Sequence, residues 1–368
     1  MRNIIMKNWV KSNISVKYLV ILLIIITIGI FFVEFSKKKV RTDYYDIQIE
    51  TANIMSKSLQ IIQQERESRG ITISEKTDPN KTGIIGEEYT RLTTTLGNLS
   101  AKRTSTNPDF AALMVKYFKQ AGLVRGDVIA IGSSGSFPGL IIATLSACKA
   151  MEITPLLIYS IGASEYGATI PGFTFIDMLE TLNDKRIIPY QLLAVSMGGN
   201  FDQAEAMLYP DSQKIIRDIG QNSDAIFIDR DNLAENIQRR MELYKNTANN
   251  KSIKLFVNIG GASANYGNTT ASITYPNGLI MNGPKIPDNP ERGLIFEYQS
   301  LNIPVVHLLN IRDLALKNGI PVDPTPLPEI GQSEVFFALK YQKRIIAITV
   351  IIGIMYLVLV RKINSSYK

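Results

Sequence analysis

Charge collects at the two ends of this chain, each time beside an apolar run, and that pairing limits its architecture before any motif is considered. Residues 18–33 and 345–360 contain no charged side chain, and Lys and Arg bracket both stretches. Residues 1–41 carry eight basic groups and one acidic, and residues 340–368 carry six basic and none acidic. The middle, residues 42–339, is net −6 although the whole chain is +7. A basic balance ordinarily invites a nucleic-acid partner. Here it belongs to the ends, and the acidic middle excludes that class.

Each apolar run is sixteen residues long, short of the roughly 20 that cross a hydrocarbon core. Val16, Lys17 and Phe35 extend the first run, and Tyr341 and Lys343 extend the second, because long basic side chains reach the headgroups. A cleaved signal peptide would need a small-x-small site. The residues after Val33 are Glu34-Phe35-Ser36-Lys37-Lys38-Lys39 and offer none. The expectation is two helices in a lipid bilayer, 16–35 and 341–361, with tails 1–15 and 362–368. Basic flanks nearly balance across each helix. The short tails favour both termini in the cytoplasm, with a large domain outside the cell membrane.

Between the spans the pattern changes. Residues 44–69 lack Gly and Pro and place Ile47, Ile54, Leu59, Ile61 and Ile62 among polar residues, which predicts a helix closed by Gly70. Residues 71–105 are polar, Thr-rich and without clear periodicity, so 42–105 stands as a membrane-proximal helix plus an irregular segment. Asn107-Pro108-Asp109 opens a further helix to Gln120. From there short apolar runs at 128–131, 155–161, 192–196, 225–228, 253–259 and 304–309 alternate with helical stretches at 138–151, 175–182, from the third run to 219, 231–247, 291–301 and 311–318. Near-continuous apolar strands separated by helices predict an α/β fold over 106–320, a doubly wound, mainly parallel sheet covered on both faces. Residues 321–340, beginning Pro321-Val322-Asp323-Pro324-Thr325-Pro326-Leu327-Pro328, are expected to be a stiff return segment. The lone Cys148 lies in an apolar helical stretch and has no disulfide partner within the chain, so the core must hold the domain together.

Four of the strands run into small residues. The loops contain Gly132-Ser133-Ser134-Gly135-Ser136, Gly162-Ala163-Ser164, Gly198-Gly199-Asn200, and Gly260-Gly261-Ala262-Ser263. In a parallel sheet all four lie at the carboxyl edge, where ligands of such folds bind. Free N–H groups and hydroxyls there suit a carboxylate or phosphate. The first loop lacks the Gly-Lys-Ser/Thr ending of a phosphate-binding loop, the glycine spacing of a dinucleotide fingerprint and the Gly-x-Ser-x-Gly elbow. It is still a strand–serine–helix turn, so Ser133, Ser134 or Ser136 is a candidate nucleophile. The only histidine, His307, is the candidate base, with Asp177 or Asp313 to orient it; Ser134, His307 and Asp177 form the expected catalytic set. One histidine and one cysteine leave only carboxylates for a metal, so neither a metal nor another cofactor is expected. Arg239-Arg240 and Lys102-Arg103 fit solvated faces. Tyr166, Phe173 and Phe175 fit core or pocket lining.

Several segments together resemble the poly-γ-glutamate system protein family. They are Thr93-Thr94-Thr95-Leu96-Gly97, Ala101-Lys102-Arg103-Thr104-Ser105-Thr106-Asn107-Pro108, the 132–139 loop, Gly162-Ala163-Ser164 with Gly167-Ala168-Thr169, Asn258-Ile259-Gly260-Gly261-Ala262, and the tail from Ile303-Pro304-Val305-Val306-His307 to Asp323-Pro324. Members of that family accompany the poly-γ-glutamate ligase and its membrane subunit in bacterial polymer synthesis. The resemblance implies a cell-envelope or capsule polymer whose repeating unit carries a free carboxylate. It brings no established catalytic residues. An acidic domain is poorly suited to broad capture of a polyanion. Recognition is therefore expected to be local, with Lys102, Arg103 or Lys149 near the site. Two functions follow as expectations: an anchored accessory that helps assemble, hand over or export the polymer, or an extracytoplasmic serine hydrolase or transferase acting on the polymer or another carboxylate-bearing substrate.

Overall fold

The computed structural model describes residues 15–205 and 207–366. The expected tails lie outside the described residues at 1–14 and 367–368. The chain divides into two units, one formed by its ends up to Thr42 and from Phe337, the other by residues Asp43–Phe336.

In the terminal unit, helix α1 (Val16–Phe35) and helix α13 (Lys343–Ser366) are both long and apolar enough to cross a membrane. Their apolar side chains stand exposed on the outer faces, Leu23 at 64% and Ile354 at 56% among them. Such a surface is unfavourable in water and suits a surrounding of lipid. The two helices pack on each other: a Cβ at Gly29 would sit 2.1 Å from the Thr349 methyl, and Tyr356 Oη donates to Tyr18 O at 3.1 Å. Strand β1 (Lys38–Arg41) pairs antiparallel with β9 (Phe337–Lys340), with Lys38 opposite Lys340 and Arg41 opposite Phe337.

The larger unit opens with α2 (Tyr45–Ser68), α3 (Leu99–Thr104) and α4 (Asp109–Gln120). The alternating region follows as β2 (Val128–Ser134), α5 (Pro138–Ala150), β3 (Thr154–Ser160), α6 (Phe175–Asp184), β4 (Leu192–Ser196), α7 (Ser212–Gln221) and β5 (Ile226–Ile228). It continues with α8 (Leu233–Thr247), β6 (Ile253–Ile259), the single turns α9 (Ser263–Tyr266) and α10 (Thr270–Ile273), β7 (Gly278–Ile280), α11 (Leu294–Ser300), β8 (Val305–Leu308) and α12 (Ile311–Lys317). A 3₁₀ turn, Glu334–Phe336, closes the unit.

The strands form one seven-stranded sheet in the order β5-β4-β3-β2-β6-β8-β7, parallel except for β7. Every residue of β2 is buried, which explains why the central strands are continuous apolar runs without alternation. On one face Val128, Ala130, Ile158 and Phe256 pack with Leu233, Ile237 and Tyr244 of α8 and Phe296 and Tyr298 of α11. Helices α2, α4, α5 and α6 pack together as a second helical group. The chain builds β2, β3, β4 and β5 outward on one side, then returns to lay β6 on the other flank of β2. The loops leaving β2 and β6 therefore diverge, and a crevice opens at the carboxyl edge between them.

The structure departs from expectation after β4 and adds elements that the pattern does not mark. No long helix follows β4: the described residues at 197–205 and 207–211 are irregular and α7 begins only at Ser212. Gly198, Gly199, Phe201, Asp202 and Ala204 all have positive φ, which a right-handed helix cannot accommodate. The three-residue strand β7 and the pairing of β1 with β9 carry too short a pattern to stand out in sequence. The Pro-rich segment is tied to the domain by hydrogen bonds. Asn80 donates to Pro324 O at 2.8 Å, and Asp323 N donates to Thr104 Oγ1 at 2.9 Å.

Candidate functional site

The carboxyl ends of β2, β3 and β4 are level, since Ser134 pairs with Ser160 and Ser160 with Ser196. The loops leaving these strands and β6 consequently begin at one height and surround a cavity of about 610 Å³. Ser134, Ser136, Gly162, Ser164, Gly198, Gly199, Gly261 and Ser263 line it. The other four expected ligand-binding residues sit behind the wall. Gly132 lies under Asn265, where a Cβ would meet Oδ1 at 2.3 Å. Ser133 Oγ donates to Ile158 O, and Gly135 N donates to Ser160 O. Gly260, at φ +83°, packs on Ser134 Oγ, which a Cβ there would approach to 2.7 Å.

A buried ion cluster fixes the Gly198 turn. Arg240, on α8, donates to Asp202 Oδ2 at 2.7 Å and to Ser196 Oγ at 2.6 Å. Asp202 Oδ1 in turn accepts from Gly198 N at 3.1 Å and Ser196 Oγ at 2.8 Å. Arg240 is thus a buried rivet beneath the loop and no part of a solvated face; Arg239 beside it is part-exposed and pairs with Glu242.

The opposite wall comes from the segment that sequence left unplaced. Buried Arg66 donates to Thr72 O, Gly83 O and Ile85 O, and Asp78 accepts from Thr82 N and Gly83 N. Farther on, Thr94 N donates to Ala163 O and Glu165 N donates to Thr95 O, so the segment runs along the loop after β3. Asn98 then caps α3 by accepting from Ala101 N at 2.9 Å. One helical turn aims Lys102 into the cavity and leaves Arg103 to a part-exposed, two-point ion pair with Asp323.

Lys102 is 1% exposed. Its ammonium nitrogen donates to the Ser136 carbonyl oxygen, lies 2.7 Å from Ser164 Oγ, and stands 4.3 Å over the centre of the Phe137 ring. Burial pulls the amine down to about 7, and the nearby Glu165 carboxylate opposes that shift. Arg312 is the other cation of the lining, and among the described residues no carboxylate lines the cavity. Lys149, at the far end of α5, donates to the carbonyls of Arg186 and Ile187 instead.

The expected triad is not assembled. Asp177 belongs to the capping box of α6, accepting from Thr174 N at 2.8 Å, and pairs with Arg69 at 2.9 Å. Asp313 pairs with Lys317. His307 is buried between Tyr266 and Tyr275, and Asn258 Nδ2 lies 2.8 Å from its Nδ1. That amide nitrogen also donates to Gly260 O, so the ring accepts at Nδ1 and carries its proton on Nε2. Burial lowers His307 to about 4, which keeps it neutral. It braces the β6 loop from behind and reaches no cavity serine among its hydrogen bonds. Tyr166, Phe173 and Phe175 likewise stay out of the lining, and Phe175 packs on Tyr159 in the core. Cys148 is fully buried, and that burial raises its thiol far above the usual range.

Comparison of the chain with protein-family models, curated proteins and solved structures gave no match. What the fold and cavity define is an α/β domain with a basic, hydroxyl-rich crevice at its carboxyl edge, in a chain that carries two helices apolar enough to cross a membrane.

Proposed function

We propose that this chain is a membrane-anchored accessory of bacterial poly-γ-glutamate synthesis, assembly or export, whose α/β domain takes a γ-glutamyl unit in the crevice. In this reading α1 and α13 are the anchors, both termini are cytoplasmic, and the domain works outside the membrane beside the ligase and its membrane subunit. One observation carries the ligand class: among the described residues, the charged side chains in the lining are the cations Lys102 and Arg312 and no carboxylate. A carboxylate would find a charge-assisted partner in Arg312 and meet no like charge. The recognition is local, which reconciles a carboxylate ligand with a domain of net negative charge. The sequence segments that resemble the poly-γ-glutamate system family include the β2, β3 and β6 loops and the α3 segment, all of which contribute to the crevice.

The test is surface and released polymer in cells lacking this chain, complemented with wild type or with Arg312→Ala. Deletion is expected to reduce or mislocalise polymer, with wild type restoring it and Arg312→Ala restoring it only in part. Unchanged polymer amount, length and location on deletion would remove the assignment.

A further inference from the structure

The crevice contains more chemistry than anion binding needs. A lysine placed only to attract a carboxylate would be best left partly solvated, fully charged, with its N–H groups open to the ligand. Lys102 is instead a buried member of the wall, 1% exposed, and its ammonium nitrogen lies 2.7 Å from the half-buried hydroxyl of Ser164. Three of the other cavity serines bond to backbone groups. Ser136 Oγ accepts from Ser164 N at 3.1 Å, Ser134 Oγ accepts from Ser136 N, and Ser263 Oγ donates to Gly199 O. Of the five serines in the lining, Ser164 alone is joined to a basic side chain among the described residues.

We infer that Ser164 and Lys102 form an acyl-transfer dyad, with Ser164 Oγ the nucleophile and Lys102 Nζ the general base, acting on an amide or ester carbonyl of a carboxylate-bearing substrate. The substrate class rests on the ligand reading above; the dyad rests on its own geometry. The Ser136 carbonyl can only accept, so Lys102 must give it one N–H. With the amine neutral, its lone pair remains for the Ser164 O–H at 2.7 Å, which is the orientation proton transfer requires. Neutrality is attainable because no carboxylate forms an ion pair with Lys102 among the described residues, and burial disfavours the ammonium. The backbone of Ser164 is held by its N–H to Ser136 Oγ and by Gly167 N donating to its carbonyl at 3.1 Å. The nucleophile is thereby positioned before substrate arrives.

In the first step the Ser164 proton moves to Lys102 as the Oγ–C bond forms and the carbonyl becomes a tetrahedral oxyanion. The oxyanion collapses, the C–N or C–O bond breaks, and Lys102 returns the proton to the leaving amine or alcohol. Water, or an acceptor amine, then attacks the Ser164 acyl ester, loses its proton to Lys102 and releases the acid or the new amide. Lys102 restores the Ser164 proton. One charged group bears on the titration, Glu165, the carboxylate that favours the ammonium; Arg312 is the other cation in the lining.

The test uses the full chain in lipid nanodiscs, a fluorophosphonate probe with peptide mapping of the adduct, and calorimetric binding of a γ-linked glutamate trimer in parallel. Labelling is expected at Ser164, with a rate that rises through a midpoint near the Lys102 value of about 7 and then levels. Lys102→Met, shown to be folded by its melting curve, is expected to label at least about 100-fold more slowly. Lys102→Arg, which keeps the charge and removes the base, is expected to do the same. No adduct at Ser164 in wild type that still binds the trimer would overturn the dyad and leave the ligand site standing. Neither labelling nor trimer binding by the folded protein would overturn both. An adduct on Ser134 or Ser136, or a Lys102→Met rate equal to wild type, would also overturn the dyad.

Discussion

Lys102 and Arg240 are equally hidden, each 1% exposed, yet the regions around them handle a buried cation in opposite ways. Beneath the Gly198 turn, Arg240 meets the Asp202 carboxylate at 2.7 Å and the Ser196 hydroxyl, and the carboxylate is itself satisfied by Gly198 N. At the crevice, Lys102 meets a carbonyl, a hydroxyl and an aromatic face, none of which carries a full negative charge. A cation that brings its counterion inside stays charged and fastens the structure. A cation buried without one becomes titratable, and titratable groups in clefts are where chemistry is done.

Arg240→Met would strand the Asp202 carboxylate in the core and is expected to destabilise the domain by about 3–5 kcal/mol in urea unfolding. A loss below about 1 kcal/mol would mean the cluster is no rivet. The next effect concerns pH. An unfolded lysine holds its proton to about 10.4, whereas folded Lys102 releases it at about 7. Between those values the unfolded chain binds more protons, so this group makes stability rise with pH, by at most about 1.4 kcal/mol per pH unit. Below the folded value its penalty is fully present. Lys102→Met is expected to remove that slope from melting curves taken across the window, whereas an unchanged slope would assign it elsewhere.

A smaller effect is expected at the turn that Arg240 secures. Gly198 has φ +74°, and a Cβ there would come within 2.9 Å of Gly162 N. Gly198→Ala should cost about 1–2 kcal/mol for the left-handed backbone. It should also weaken binding of a γ-glutamate trimer, because the cavity wall must shift. The smallest effect belongs to the neighbour of Lys102. Arg103 and Asp323 pair at 2.6 Å but are each more than a fifth exposed, so Asp323→Asn is expected to change stability by less than about 1 kcal/mol. A larger loss would show that the Pro-rich segment is a structural clasp.

How much of this is legible beforehand differs by the kind of interaction involved. Strands such as β2 and β6 announce themselves because burial on both faces demands an unbroken apolar run, and the loops after them are marked by Gly and Ser. The carboxyl-edge crevice is readable on that basis alone. The segment 71–105 is not, because side-chain-to-backbone bonds from Arg66 and Asp78 and main-chain bonds to the β3 loop order it, and these leave no periodic trace. Lys102 and Arg103 look alike as adjacent cations, but one residue of α-helix turns the side chain by about 100°, which decides which enters the cavity. The role of Asp177 does carry a signal, since Thr174 and Asp177 have the spacing of a capping box. His307 had none: its partners Asn258, Tyr266 and Tyr275 come together only in the folded sheet.

The dyad requires that the amine of Lys102 be neutral within reach of physiological pH. It is tested most directly by NMR titration of the protein in nanodiscs with ¹³Cε-labelled lysine, using Lys102→Met to assign the resonance. This one signal is expected to move with a midpoint at about 7. A Lys102 signal that stays unshifted up to about pH 9, like that of a solvated lysine, would contradict it.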